Sequence, residues 1–302
     1  MRRGIWFIIR SKPSTRMSIN PALSDVAGSA IRRDLALTPP PSRVVEAITD
    51  LTAGTKRSWI WTRLAYQDVK LRYRGSVLGP FWVTLTNLIM VVAMGSIYAR
   101  LFHLDFAAFV PYITAGLLVW QFISGMIVEG CTTFTGAQDM IQQVRMPFSV
   151  QAYRVVYRNL LLLAHNAIII PPGLILLKIP IDWHIIEIIP ALVVLSFNGF
   201  WLALLLGTIS TRFRDIPPII NNIVQVLFFL TPIFWPLSQA GDLKQILALN
   251  PFFAWVDVVR APLLGNLPEP TSWPILLGCA AVGGALSFLF FVRFRDRIAY
   301  WI

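Results

Sequence analysis

Residues 56–74, KRSWIWTRLAYQDVKLRYR, hold the densest group of side chains able to bind a charged ligand. Wound as a helix, this stretch puts Arg63, Gln67, Lys70 and Arg74 on one narrow face. Ile60, Leu64 and Leu71 flank that face on one side, with Tyr66, Val69 and Tyr73 on the other. Basic groups among Trp and Tyr suit an amphipathic helix lying in the headgroup layer, where anionic lipid attracts them. Two uses stay open: an anchor that only fixes orientation, or a surface that binds an anionic ligand. Two polar connections carry further charges, QQVRMPFSV within residues 131–152 and STRFRDIPP around residues 211–217. Both are candidates for docking a partner. Ordinary interfacial charge explains the sign of Arg212 and Arg214 but not the compact RFRD arrangement.

Enzymatic chemistry has little support. The chain contains no GxxxxGK[ST] phosphate loop, no HExxH and no GxSxG elbow. Cys131 and Cys279 stand far apart, and His103, His165 and His184 are scattered, so neither a metal site nor a disulfide framework is indicated. After residue 80 the acidic residues toward one side are Glu129, Asp139 and Asp215, with no carboxylates paired at short spacing. That pattern weighs against a membrane sugar transferase or a proton-driven carrier. Among the polar residues inside apolar stretches, Arg158 is expected to snorkel to the interface. His165 and Asn166 lie deeper, where an interhelical hydrogen bond explains them at least as well as a substrate contact. The chain has 11 Trp and 20 Phe. Trp82, Trp183, Trp235 and Trp273 have the spacing of interfacial belts. Aromatic faces also stack on sugar rings, so Trp82, Trp120, Phe122, Phe228 and Phe229 are candidates for lining a pathway. Belt and pathway remain alternatives.

The elements that must position these groups follow from composition. Of 302 residues, 56% are apolar and 14% charged. Soluble domains carry roughly 25% charge, so an ordinary water-soluble enzyme is disfavoured. Low charge with mean hydropathy of +0.65 likewise excludes a disordered chain. The net charge of +11 fits a nucleic-acid binder or a membrane protein facing anionic lipid. Charge placement decides between them. Six segments reach the ~20 apolar residues a span needs: about 81–101, 109–130, 155–177, 183–209, 217–235 and 273–292. Their continuous apolarity indicates helices rather than barrel strands. Six spans put both termini on one side, and 22 of the 26 Lys and Arg fall there. The positive-inside rule makes that side cytoplasmic. Nucleic acid is thereby set aside as a partner.

The remaining stretches are not spans. Residues 1–54, rich in Pro, Ser, Thr and Arg without periodicity, read as a flexible cytoplasmic tail. Its opening MRRGIWFIIR mimics a signal peptide, but the apolar run Ile5 to Ile9 is shorter than an h-region of ~7–15 residues. Residues 236–271, on the outer side, are too apolar for a free loop. Two short interfacial or re-entrant helices are expected there.

Taken in order, DVKLRYRGSVLGPFW, VRMPFSVQAYR, STRFRDIPPIINNIVQVLFFLTPIFWP and LNPFFAWVDVVRAPLLG resemble the membrane subunits of ABC-2 type exporters. The similarity is to the Wzm-like permeases for O-antigen and teichoic acid, and it spans about residues 55–302. It implies an all-α integral membrane domain at 55–302 that works as a homodimer with two copies of a separate ABC ATPase in the bacterial inner membrane. ATP and Mg would be held by that partner, leaving no cofactor and no enzymatic activity on this chain. The cargo implied is a polyprenyl-diphosphate-linked polysaccharide, beside membrane lipid. Arg63, Lys70, Arg72 and Arg74 on an interface helix would then meet the lipid diphosphate, since Arg pairs well with phosphate. Arg145, Met146 and Pro147, with Arg212, Arg214 and Asp215, would couple to the ATPase. Exporters of drugs share the fold, and a lipid-linked sugar transferase shares the setting; both stay as alternatives.

Overall fold

The structure is a computed structural model that describes residues 42–75, 81–176 and 182–302. Residues 1–41 of the expected tail, the expected break at Gly79 and Pro80, and Leu177 at the end of the third expected span lie outside the described residues. Every regular element among the described residues is helical. α1 (Arg43–Lys56) and α2 (Ser58–Arg72) precede α3 (Phe81–Leu101) and α4 (Phe106–Cys131). Then come α5 (Gln138–Gln143), α6 (Ser149–Asn166), α7 (Ile170–Leu176) and α8 (Ile188–Arg212). α9 (Ile216–Leu230), α10 (Lys244–Ala248), α11 (Pro251–Leu263) and α12 (Ser272–Trp301) complete the order.

The core is built around α4. Asp105 caps it by accepting the Ala108 amide at 3.1 Å, and its apolar residues run all round the helix. Such a helix must be covered on every side. α3, α6, α8, α9 and α11 all pack on it. By contrast α3 is only 17% buried along its apolar window, against 61% for α4. Leu85, Ile89 and Val92 on α3 point outward. A flank of that composition requires lipid or another apolar surface.

Four helices are long and apolar enough to cross a membrane: Phe81–Leu101, Phe106–Cys131, Trp183–Arg212 and Ser272–Trp301. They match the first, second, fourth and sixth expected spans. The third is interrupted: α6 gives way to a 3-10 turn at Ala167–Ile169 before α7. Pro171 and Pro172 have no amide hydrogen to continue the α6 ladder, and Arg154 and Arg158 make its first half polar. The fifth is cut short: α9 has 15 residues, about 22 Å, less than the ~30 Å hydrocarbon core. Pro232 lies just beyond its end, where the backbone leaves the helix. Two short helical segments do occupy residues 236–271, where Gln239–Ala248 and Pro251–Leu263 meet at 105°. Asn250 starts the second by accepting the Phe252 amide at 2.9 Å.

Residues 43–54 of the expected tail are helical. α1 begins at Arg43 and belongs to the compact unit Arg43–Ile302. Ala47, Asp50 and Gly54 form its buried edge. Small residues on that edge let the helix sit close to its neighbours while its composition stays polar, which hid it from a reading based on hydropathy.

Candidate functional site

α2 presents Trp61, Ala65, Asp68 and Arg72 toward α6 and α4, a spacing that keeps all four on one side of a helix. Trp61 stacks on Tyr153 at 5.6 Å and meets Tyr157 edge-on at 5.3 Å. Ala65 between these groups is completely buried. Next along, Arg154 grips Asp68 through one bidentate edge, Nε to Oδ2 at 2.7 Å and Nη2 to Oδ1 at 2.5 Å. Arg158 donates from Nη1 to Asp68 Oδ2 at 3.0 Å and from Nε to Glu129 Oε2 at 2.9 Å. Asn159 adds a bond to Glu129 Oε2 at 2.8 Å, and Arg72 takes Oε1 at 2.7 Å. The result is a continuous chain from Arg154 through Asp68, Arg158 and Glu129 to Arg72.

Local sequence makes the chain reachable. α4 and α6 approach at Gly125, where a Cβ would collide with Asn159 Oδ1. Without that approach Asn159 and Arg158 would not reach Glu129. Burial pushes the Asp68 carboxyl upward, but the bonds and charges of Arg154 and Arg158 outweigh it and hold it below the usual carboxylate range. Guanidinium groups occupy both carboxylates. Three guanidiniums share two carboxylates, so the cluster keeps a positive excess. Arg72 is its accessible end, with a side chain 45% exposed.

The four basic residues expected to act together are divided by this geometry. Arg63, Lys70 and Arg74 are exposed, while Arg72 lies on the other side of α2 in the ion-pair chain. Arg158 does not snorkel freely; it is held between Asp68 and Glu129.

A second polar assembly sits at the loop before α6. Asp50 of α1 is 3% exposed and accepts the Phe148 and Ser149 amides at 3.1 and 3.0 Å. It caps α6 from outside, satisfying amides that no earlier turn can take. Ser149 Oγ returns a bond to the Asp50 carbonyl at 2.8 Å, and Arg295 Nε of α12 reaches Asp50 Oδ2 at 3.1 Å. The loop that this assembly holds carries Arg145, exposed, with Met146 and Pro147 half-buried. Met146 Sδ accepts from Gln151 Nε2 at 3.4 Å. In the α8–α9 turn Arg212, Arg214 and Asp215 are all exposed.

A family model for the ABC-2 type transporter matches residues 61–264. The chain belongs to the ABC-2 type transporter family. It is 29% identical over 244 residues to the O-antigen export system permease protein RfbA of Myxococcus xanthus, covering 78% of this chain and 90% of that relative. Two proteins of the same name from Klebsiella pneumoniae are 21% and 22% identical over 204 and 200 residues. Those matches cover 64% and 63% of this chain, and 76% and 74% of the relatives. The ABC-2 match includes the whole ion-pair chain from Asp68 to Arg158. It stops short of α1 and α12, which supply Asp50 and Arg295 to the second assembly.

Elsewhere in this ABC-2 chain, Asn87 and Gln121 exchange two side-chain bonds at 3.1 and 2.5 Å, joining α3 to α4. Asn166 donates to Gln121 at 3.4 Å and accepts from Thr84 at 3.2 Å. His165 makes no such bond: its Nε2 is buried without a partner and its ring meets Phe81 edge-on at 5.1 Å. The aromatic candidates separate by exposure. Trp120 and Phe122 are buried in the core, Trp120 against Phe228 at 5.6 Å, whereas Trp82 and Phe229 are exposed. Three participants escaped the sequence reading. Asp68 precedes the spans, Asp50 falls within residues 1–54, and Gln121 stands inside a long apolar run, so hydropathy signals none of them.

Proposed function

We propose that this chain is the membrane subunit of an ATP-driven exporter of a lipid-linked, O-antigen-type polysaccharide in the bacterial inner membrane. The observation that carries the reading is the match to O-antigen export permeases over most of both chains. Two copies of the chain form the path, and two copies of a separate ABC ATPase hold ATP and Mg. Six membrane passages, the third and fifth built from broken or short helices, keep both termini cytoplasmic. Residues 236–271 re-enter from the outer side. α2 lies at the inner surface as the interface helix, an arrangement supported by its exposed Arg63, Lys70 and Arg74.

The ATPase docks on Arg145–Pro147 and on the Arg212–Asp215 turn. The polyprenyl diphosphate approaches α2, where exposed basic groups offer donors and Arg72 offers the accessible end of a positively charged cluster. Movement of the docking loop passes to α6 at its cap, and from α6 to α2 through Arg154 and Arg158. Trp82 and Phe229, exposed on the single chain, are the aromatic candidates left for a sugar path.

Co-purification with the ATPase, followed by ATP hydrolysis with and without glycan-lipid, tests the reading. Stimulation by glycan-lipid is expected, and alanine at Arg63, Lys70 and Arg74 together should weaken it at least several-fold. Stimulation by small hydrophobic drugs with indifference to glycan-lipid would replace the cargo. Formation of a glycosidic product without ATP would replace the whole reading with a transferase.

A further inference from the structure

α4 carries polar groups at both ends. Tyr112 and Glu129 are seventeen residues apart on it, about 26 Å along the axis. Around Tyr112 lies a cavity of about 580 Å³ whose walls include Asp257, Arg260, Asn266 and Glu269. That volume is within the ~300–1,000 Å³ usual for small-molecule sites. α11 supplies Asp257 and Arg260 one turn apart, and Gly265, at φ +72°, turns the chain so that residues 266–270 form the facing wall.

The Asp257–Arg260 pair is held open. Arg260 is 3% exposed, donates from Nη1 to the Pro232 carbonyl at 2.7 Å and stacks its guanidinium 4.1 Å from the Tyr112 ring centre. Its Nη2 stands 3.9 Å from Asp257 Oδ1, beyond hydrogen-bond range. Asp257 Oδ2 is engaged by the Glu269 amide and Ser272 Oγ, both at 2.8 Å. Each charged group is therefore pinned along one edge, leaving Oδ1 and Nη2 on facing edges. An acceptor and a donor at that separation suit neighbouring hydroxyls, one donating to Oδ1 while the other accepts from Nη2. A phosphate would be repelled by Asp257 and Glu269. An apolar solute would leave the buried pair without compensation. We propose that this cavity is a subsite for a neutral polyhydroxylated ligand, a sugar unit of the glycan, at the end of the membrane path opposite the Glu129 cluster. The proposal rests on the reading of the cargo as a glycan.

The test uses the permease–ATPase complex in nanodiscs. The probe is lipid-free O-chain glycan, released by mild acid from the producing cell's lipopolysaccharide and fluorescently labelled at its reducing end. Saturable binding is expected, weakened at least tenfold by Asp257→Asn and at least threefold by Asn266→Ala. The second variant guards against misfolding, because the Asn266 side chain donates to the nearby Leu264 carbonyl at 3.3 Å, and alanine keeps the backbone bond from its amide to the Ala261 carbonyl. Absent binding, or binding unchanged in both variants, would overturn the subsite. If glycan-lipid still stimulated ATP hydrolysis in that case, the exporter reading would stand without it. Loss of that stimulation in the unmodified complex would instead remove the cargo reading itself.

Discussion

Among the described residues, Asp68 sits between two guanidiniums that have no other carboxylate except Glu129, and that shortage sets what its loss does. Asp68→Asn keeps the shape but leaves Arg154 facing an amide oxygen in a setting only 17–18% exposed. A cost of about 1–3 kcal/mol is expected, read as lower thermal stability of the solubilised protein at pH 7. Its depressed folded pKa means that Asp68 contributes stability above its unfolded value, about 4, and loses the contribution as pH falls through the folded value. The gap between wild type and Asp68→Asn should thus be flat from pH 8 to 5 and close below about pH 4. A gap that instead widened on acidification would contradict the pairing. Arg72→Ala should cost less, about 0–1 kcal/mol, because Arg72 is nearly half exposed and Glu129 keeps Arg158 and Asn159. At this scale, sequence periodicity revealed Arg63, Lys70 and Arg74 as one stripe. It did not reveal the role of Arg72, whose partner is 57 residues away on another helix.

α1 and α6 illustrate how helices get ends that their own sequences do not provide. Phe148 precedes α6 and has no side-chain oxygen to cap it, so the first amides turn to Asp50 on α1. Asp50→Ala should cost on the order of 1 kcal/mol, as lost caps do, and should speed hydrogen exchange at the start of α6. Mass-resolved exchange over residues 145–155 reads this directly; an unchanged rate there would mean that the cap is not needed. Glycan-lipid-stimulated ATP hydrolysis should fall with it, since the same loop carries Arg145, Met146 and Pro147. The helices legible from sequence were those whose apolar run outlasts a span, such as α3, whose limits match the expected 81–101. α1 stayed hidden because it is held by small residues and a buried carboxylate rather than by an apolar stripe. The breaks at Pro171 and Pro232 were likewise submerged in hydropathy, which registers apolarity across a proline without registering the lost amide.

Across the whole molecule, charge and apolar surface divide the chain into two ends and a middle. The Glu129 cluster, the Asp50 cap and the loops at Arg145 and Arg214 gather at one end of α4, the Arg260 cavity and residues 266–270 at the other. Positive-inside counting predicts that the first end faces the cytoplasm, and a labelling experiment tests that prediction. Val144, 52% exposed in the first loop, and Leu267, 68% exposed beside the cavity, are changed separately to cysteine in a chain with Cys131 and Cys279 replaced by serine or alanine. In spheroplasts a membrane-impermeant maleimide should modify the cysteine at 267 within minutes and leave the one at 144 untouched until the cells are opened. Export activity retained by the cysteine-replaced parent ensures that the fold under test is the working one. The reverse pattern would invert the molecule and place the Arg63 stripe on the outer side, against the proposed approach of a lipid-linked glycan from the cytoplasm. Labelling of both sites in intact spheroplasts would mean an even number of passages between them, so that the broken third or the short fifth helix fails to cross. The outcome at 144 and 267 therefore tests orientation and span number together, because both rest on whether proline-interrupted helices still carry the chain through the bilayer.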